Sequence, residues 1–122
     1  MDRAETATVD EMLKGLEIPL GFSVGLYSLD AGATQRARGL LEAQFPGIKV
    51  IESHDKVATD PLGSMASSVD LMVVAVASAK HAATIAINVA RGSKPLARAA
   101  GKGSSSLVRA VIEYLEARPQ AA

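Results

Sequence analysis

The chain has 122 residues, of which 48% are apolar and 21% charged, enough for one compact domain with a buried core. Thirteen basic residues balance thirteen acidic ones, so neither nucleic acid nor a membrane surface is expected as the main partner, and anion recognition has to be local. Cysteine is absent, which removes disulfides, thiol nucleophiles and thiolate metal sites together and agrees with a cytoplasmic home.

Met1-Asp2-Arg3-Ala4-Glu5 does not read as a secretory signal. Thr8-Val9-Asp10-Glu11 has capping-box spacing, and Val9, Met12, Leu13 and Leu16 recur at helical intervals, so residues 1–20 are expected to form a helical extension. Pro19 and Gly21 end it. Residues 22–29, from Phe22 to Leu29, alternate apolar with small or polar side chains before Asp30-Ala31-Gly32 and predict the first strand and its turn. From Ala33, the positions Ala37, Leu40, Leu41 and Phe45 fit a helix that stops at Pro46-Gly47. Ile48-Lys49-Val50-Ile51 then reads as a second strand ending near Ser53 and His54.

Residues 55–68 are polar and contain Pro61 and Gly63, which suits a loop or a short irregular helix. Residues 69–77 are almost all apolar without alternation, the pattern of a central parallel strand covered on both faces. The longest apolar run, Val69 to Ala79, is interrupted by Asp70 and Ser78 and is too short to span a bilayer. Ser78-Ala79-Lys80-His81 leads into a helix expected to pack on the sheet through Ala82, Ile85, Ala86 and Val89, ending at Arg91-Gly92-Ser93. Residues 94–99 form a fourth strand, placed at a sheet edge because Pro95 cannot donate to a ladder. A final helix spans about 105–117, and residues 119–122 are a tail.

Four strands, each followed by a crossover, predict an α/β doubly wound sandwich over residues 21–118, Rossmann-like or flavodoxin-like, with strand order 2-1-3-4. In such a sheet every β-to-α turn leaves from the carboxyl edge. That edge collects Ser28, Asp30 and Gly32, then Ser53, His54 and Asp55, then Ser78, Lys80 and His81, and finally Lys102 with Ser104, Ser105 and Ser106. Gly101-Lys102-Gly103-Ser104-Ser105-Ser106 has the chemistry of an anion seat. Unpaired N–H groups at a helix start favour negative charge, glycines permit close approach, and hydroxyls and an ammonium add donors. The same serines suffice as a plain helix cap.

A resemblance is carried by Ser68-Val69-Asp70-Leu71-Met72-Val73-Val74, by Ser78-Ala79-Lys80-His81, and by Lys94-Pro95 followed by Gly103-Ser104-Ser105-Ser106-Leu107. Over roughly residues 22–117 the chain resembles the small bacterial domain of unknown function 2325. The resemblance implies a Rossmann-like fold, and His81 and the serine cluster as the positions of interest. Where that family has paired glycines after the first strand, this chain has Ser28-Leu29-Asp30-Ala31-Gly32.

Other α/β chemistries lack their motifs. Gly101-Lys102-Gly103-Ser104 does not have P-loop spacing, no Gly-x-Gly-x-x-Gly follows the first strand, and Ala77-Ser78 stands where a receiver domain needs its phosphoacceptor. No cofactor is expected, and His54, Asp55 and His81 are too sparse for a metal site. Three functions follow. The first is a module sensing a phosphorylated small molecule or nucleotide through Asp30, Ser78, Lys80, His81, Lys102 and Ser104 to Ser106. The second is a structural or homo-oligomerising domain of a larger assembly, with Val9, Met12, Leu13 and Leu16 as its seam. The third is a phosphoester or nucleotide hydrolase with His81 as general acid/base, Lys80 or Lys102 stabilising negative charge and Asp30 orienting water.

Overall fold

The computed structural model describes residues 16–101 and 103–117. Its elements run β1 (Ser23–Tyr27), α1 (Ala31–Gln44), β2 (Lys49–Ser53), α2 (Asp60–Ser68), β3 (Leu71–Ala75), a 3-10 turn (Val76–Ser78), α3 (His81–Arg91), β4 (Leu96–Ala99) and α4 (Ser104–Ala117). The four strands form one parallel sheet in the order β2-β1-β3-β4, as the strand pattern predicts.

Alternation along the strands sorts the core into two layers. Val24, Leu26, Leu71 and Val73 face α1 and α4, while Tyr27, Met72 and Val74 face α2 and α3. Every residue of β3 is buried, as expected of a central strand with helices on both faces. Gly25 is required where β1 crosses under α2. A Cβ there would lie 2.7 Å from the Met72 sulfur and 3.3 Å from Met65.

The helices start where their sequences supply caps. Asp30 accepts from the Ala33 N–H at 3.1 Å to open α1, whose buried Ala33, Thr34, Ala37 and Leu41 let it approach the sheet closely. Thr59 accepts from the Leu62 N–H at 3.2 Å to open α2. Residues 60–68 are therefore a regular helix and not a loop. Pro61 falls in its first turn, where a missing N–H costs no intrahelical bond.

The face of α3 differs from expectation. Ala83, Ile87 and Arg91 are buried, whereas Ile85 is 51% and Val89 77% exposed, and Ala82 is exposed too. Apolar residues cover more than half of this helix, with His81, Thr84, Asn88 and Arg91 along the remaining side, and the buried face is rotated from the middle of the apolar arc toward Arg91. Its guanidinium donates to the carbonyls of Ala66 at 3.0 Å, Val69 at 2.6 Å and Asp70 at 3.1 Å, and also to that of Pro95. This turns the stripe 83, 87, 91 inward. Gly92, with φ of 56°, then ends the helix in a conformation that side chains disfavour.

At the amino edge, Ser23 donates from its N–H and hydroxyl to the Asp70 carboxylate at 2.8 and 3.1 Å, and its hydroxyl accepts the Asp70 N–H at 2.9 Å. Strand three is shorter than expected, because Val76 and Ala77 leave the sheet for the 3-10 turn. The predicted N-terminal helix falls mainly on residues outside those described. Residues 16–18 are not helical, and Leu16 and Ile18 pack against the core on the α1/α4 side.

Candidate functional site

The chain reverses direction across the sheet between β1 and β3. From β1 it passes to α1 on one face and outward to β2; from β3 it passes to α3 on the other face and outward to β4. The crevice between the carboxyl ends of β1 and β3 is thus the topological switch point, where open α/β sheets bind ligands.

Ser28 organises the β1 side. It is fully buried, its hydroxyl accepts the Asp30 N–H at 3.0 Å, its own N–H donates to the Ser53 carbonyl at 3.2 Å, and its carbonyl lies 3.0 Å from His54 Nδ1. The Asp30 carboxylate is engaged as the α1 cap. On the β3 side, Ser78 closes the 3-10 turn, Lys80 is the N-cap residue of α3 and His81 its first residue, with Lys80 and His81 both exposed. No side chain caps α3; the Lys80 carbonyl accepts from the Thr84 N–H and hydroxyl, each at 3.0 Å.

Tyr27 joins the two sides. Its buried hydroxyl donates to the Asp55 carbonyl at 2.5 Å and accepts the Lys80 N–H at 3.4 Å. Burial raises the phenol above its ordinary value; the Lys80 N–H opposes this and the Asp55 charge adds to it. Asp55 in turn accepts from the Thr59 hydroxyl through its carboxylate.

Behind β2, Glu52 accepts from the Thr34 hydroxyl at 2.7 Å and pairs with Arg38 at 3.4 Å. Arg38 also pairs with Glu42 at 3.0 Å, and this bond, with Glu52 contributing less, raises the guanidinium above its usual value. His54 Nε2 stands 3.9 Å from the Glu52 carboxylate.

Asp30, Ser78, Lys80 and His81 therefore border the switch crevice, whereas Ser104, Ser105 and Ser106 form the first turn of α4 beyond β4, one strand further along the same edge. Gly101 makes room for that turn, since a Cβ on it would lie 2.6 Å from the Ser106 hydroxyl. Lys102 lies outside the described residues. Tyr27, Thr34 and Glu52 are contributors that the turn-based reading of the sequence misses. A tyrosine ending an apolar strand was the available signal, because a buried phenol needs a hydrogen-bond partner. Among the described residues, no three His, Asp or Glu side chains gather as metal ligands, and no helix is long and apolar enough to cross a membrane.

No curated protein and no solved structure matches the chain. The resemblance to the domain of unknown function 2325 is overturned by a match to a different family. The short strand and turn patterns that suggested it are shared by parallel α/β sheets in general. The match extends over residues 3–110, most of the sequence, and the chain belongs to the DpdD-like family.

Proposed function

We propose that this protein binds a phosphate-bearing small molecule, with nucleotides as the leading class, at the crevice between β1 and β3, its anionic group seated on the start of α3. The observation that carries this reading is the pair Lys80 and His81 at the N-cap and first position of that helix. A helix start carries partial positive charge and favours acidic residues or an acceptor cap. α1 and α2 follow this rule, with Asp30 at the cap of one and Thr59 and Asp60 opening the other. α3 reverses it by adding an ammonium and an imidazole to open N–H donors, an arrangement that an anion would stabilise. Asp30 and Ser78 flank this seat. Lys102 with Ser104, Ser105 and Ser106 would supply further donors from the neighbouring turn.

Calorimetric titration with inorganic phosphate and nucleotides tests the proposal. Lys80→Ala should weaken binding by roughly tenfold, the loss of one charge-assisted hydrogen bond, while the melting temperature stays unchanged. A tenfold loss in Lys102→Ala with none in Lys80→Ala would move the seat to the serine turn. No heat from any phosphate at millimolar concentration would refute the reading.

A second reading, self-association, is favoured by the exposed Ile85 and Val89 on the outer side of α3. Sedimentation of the wild type and of Val89→Glu decides it, since a monomer in both removes the reading.

A further inference from the structure

We infer that the outer side of α3 docks an acidic amphipathic helix of another protein, an interaction surface beyond the phosphate seat. The neutrality of the whole chain hides an uneven distribution of charge. All thirteen acidic residues fall at position 70 or earlier or at position 113 or later, whereas residues 71–112 hold Lys80, Arg91, Lys94, Arg98, Lys102 and Arg109 with no carboxylate. β3, α3 and β4 lie wholly within that stretch.

Opposite the buried residues of α3, Ala82, Ile85 and Val89 recur at i, i+3 and i+7 and make one exposed apolar stripe. Its direction is fixed. The bonds of Arg91 to the end of α2 and to the Pro95 carbonyl hold the other side of the helix against the sheet, so the stripe cannot roll into the core. Cations border it. His81 opens the same outer side, and the exposed Lys94, whose ammonium donates to the Ser67 carbonyl, follows the end of the helix. Arg98 stands exposed on β4 two positions beyond Leu96, and therefore on the sheet face that α3 covers. Among the described residues it pairs with no carboxylate.

Charge selects the occupant. Two copies meeting through α3 would bring these cations together with no carboxylate on either α3 or β4 to separate them, whereas a helix with carboxylates around an apolar stripe complements both features. A helix also fits better than a strand. β4 is the open edge of the sheet, but it is entered through Pro95, which has no N–H, and it carries Arg98, two features that resist an added strand. Anchors at i, i+3 and i+7 are the usual grip of one helix on another. Lipid is the poorer match, because Ile85 and Val89 are few large apolar side chains to hold a folded domain in a membrane interface.

The test uses a fluorescently labelled designed helix with leucines at i, i+3, i+4 and i+7 and glutamates around them, a second helix with lysines in place of the glutamates, and phosphatidylglycerol vesicles. Wild type should raise the anisotropy of the acidic helix and not of the basic one, with affinity falling as salt is added. Val89→Glu and Arg98→Glu, both at exposed positions, should keep the wild-type melting temperature and each weaken the acidic helix by at least about tenfold. Arg98→Glu should also gain affinity for the basic helix and bind inorganic phosphate as wild type does, so that this surface and the phosphate seat stand or fall separately. No binding of the acidic helix, equal binding of the two helices, or binding that Val89→Glu leaves unchanged would overturn the proposal. Binding to the vesicles in place of the acidic helix would overturn it by giving the face to a membrane. A wild-type dimer that Val89→Glu turns into a monomer would overturn it by giving the face to a second copy.

Discussion

Arg91 shows how much one side chain can decide in a small α/β protein. It is 2% exposed and spends its donors on backbone carbonyls from α2, the strand-three entry and the strand-four entry. Burial lowers its guanidinium below the ordinary value, an effect that the charges of Asp70 and Tyr114 oppose. Arg91→Met keeps the apolar stem but strands those carbonyls, and should cost about 3 kcal/mol, or roughly 10 °C of melting temperature. Calorimetry checks this; a loss within 1 °C of wild type would show that water replaces the guanidinium. Tyr27 makes a different statement, about pH. Its phenol holds its proton more tightly folded than unfolded, so its contribution is complete below about pH 10 and fades as the pH rises from there toward the raised folded value. Urea denaturation at pH 8 to 11 should show a steeper alkaline loss in wild type than in Tyr27→Phe, which also loses the two bonds made by the hydroxyl.

At the scale of elements, caps and edges carry the specificity. Thr59→Ala should destabilise the protein by about 1 kcal/mol, as should Asp30→Ala, because each removes the one side-chain acceptor that opens its helix. Chemical denaturation measures both, and the two losses should add in the double variant, since α1 and α2 lie on opposite faces of the sheet. The strands were legible because period and composition agree: the unbroken apolar run before Ser78 reads as central, and Pro95 reads as an edge marker. α2 was obscured by Pro61 and Gly63, which are breakers in a helix interior but tolerable near a start. The buried face of α3 was illegible for another reason, because it is chosen by a charged residue reaching carbonyls from three other segments, a long-range fact with no local period. The candidate site divides the same way. Lys80 and His81 could be placed from turn positions alone, whereas the Tyr27 bridge and the His54 orientation depend on partners 26 or more positions away.

For the whole molecule, the two edges of the sheet are built differently. The amino edge is closed by the Ser23 and Asp70 exchange and by Arg91, while the carboxyl edge keeps exposed basic groups and a cavity between β2 and α2. Because no described cluster of side chains resembles a metal site, chelator should leave the melting temperature unchanged; a fall of several degrees would reveal a structural ion. The distribution of the aromatic residues has an optical consequence. The chain has no tryptophan and two tyrosines. Tyr114 stacks with Phe22 at 6.3 Å between ring centroids, on the α1/α4 side, whereas Tyr27 bridges the segment after β2 and the cap of α3 through its hydroxyl. Tyr114→Phe therefore leaves Tyr27 as the single tyrosine, whose emission responds to its hydroxyl's partners, and the protein becomes its own unlabelled reporter of anything that moves Asp55 or Lys80, the cap residue of α3.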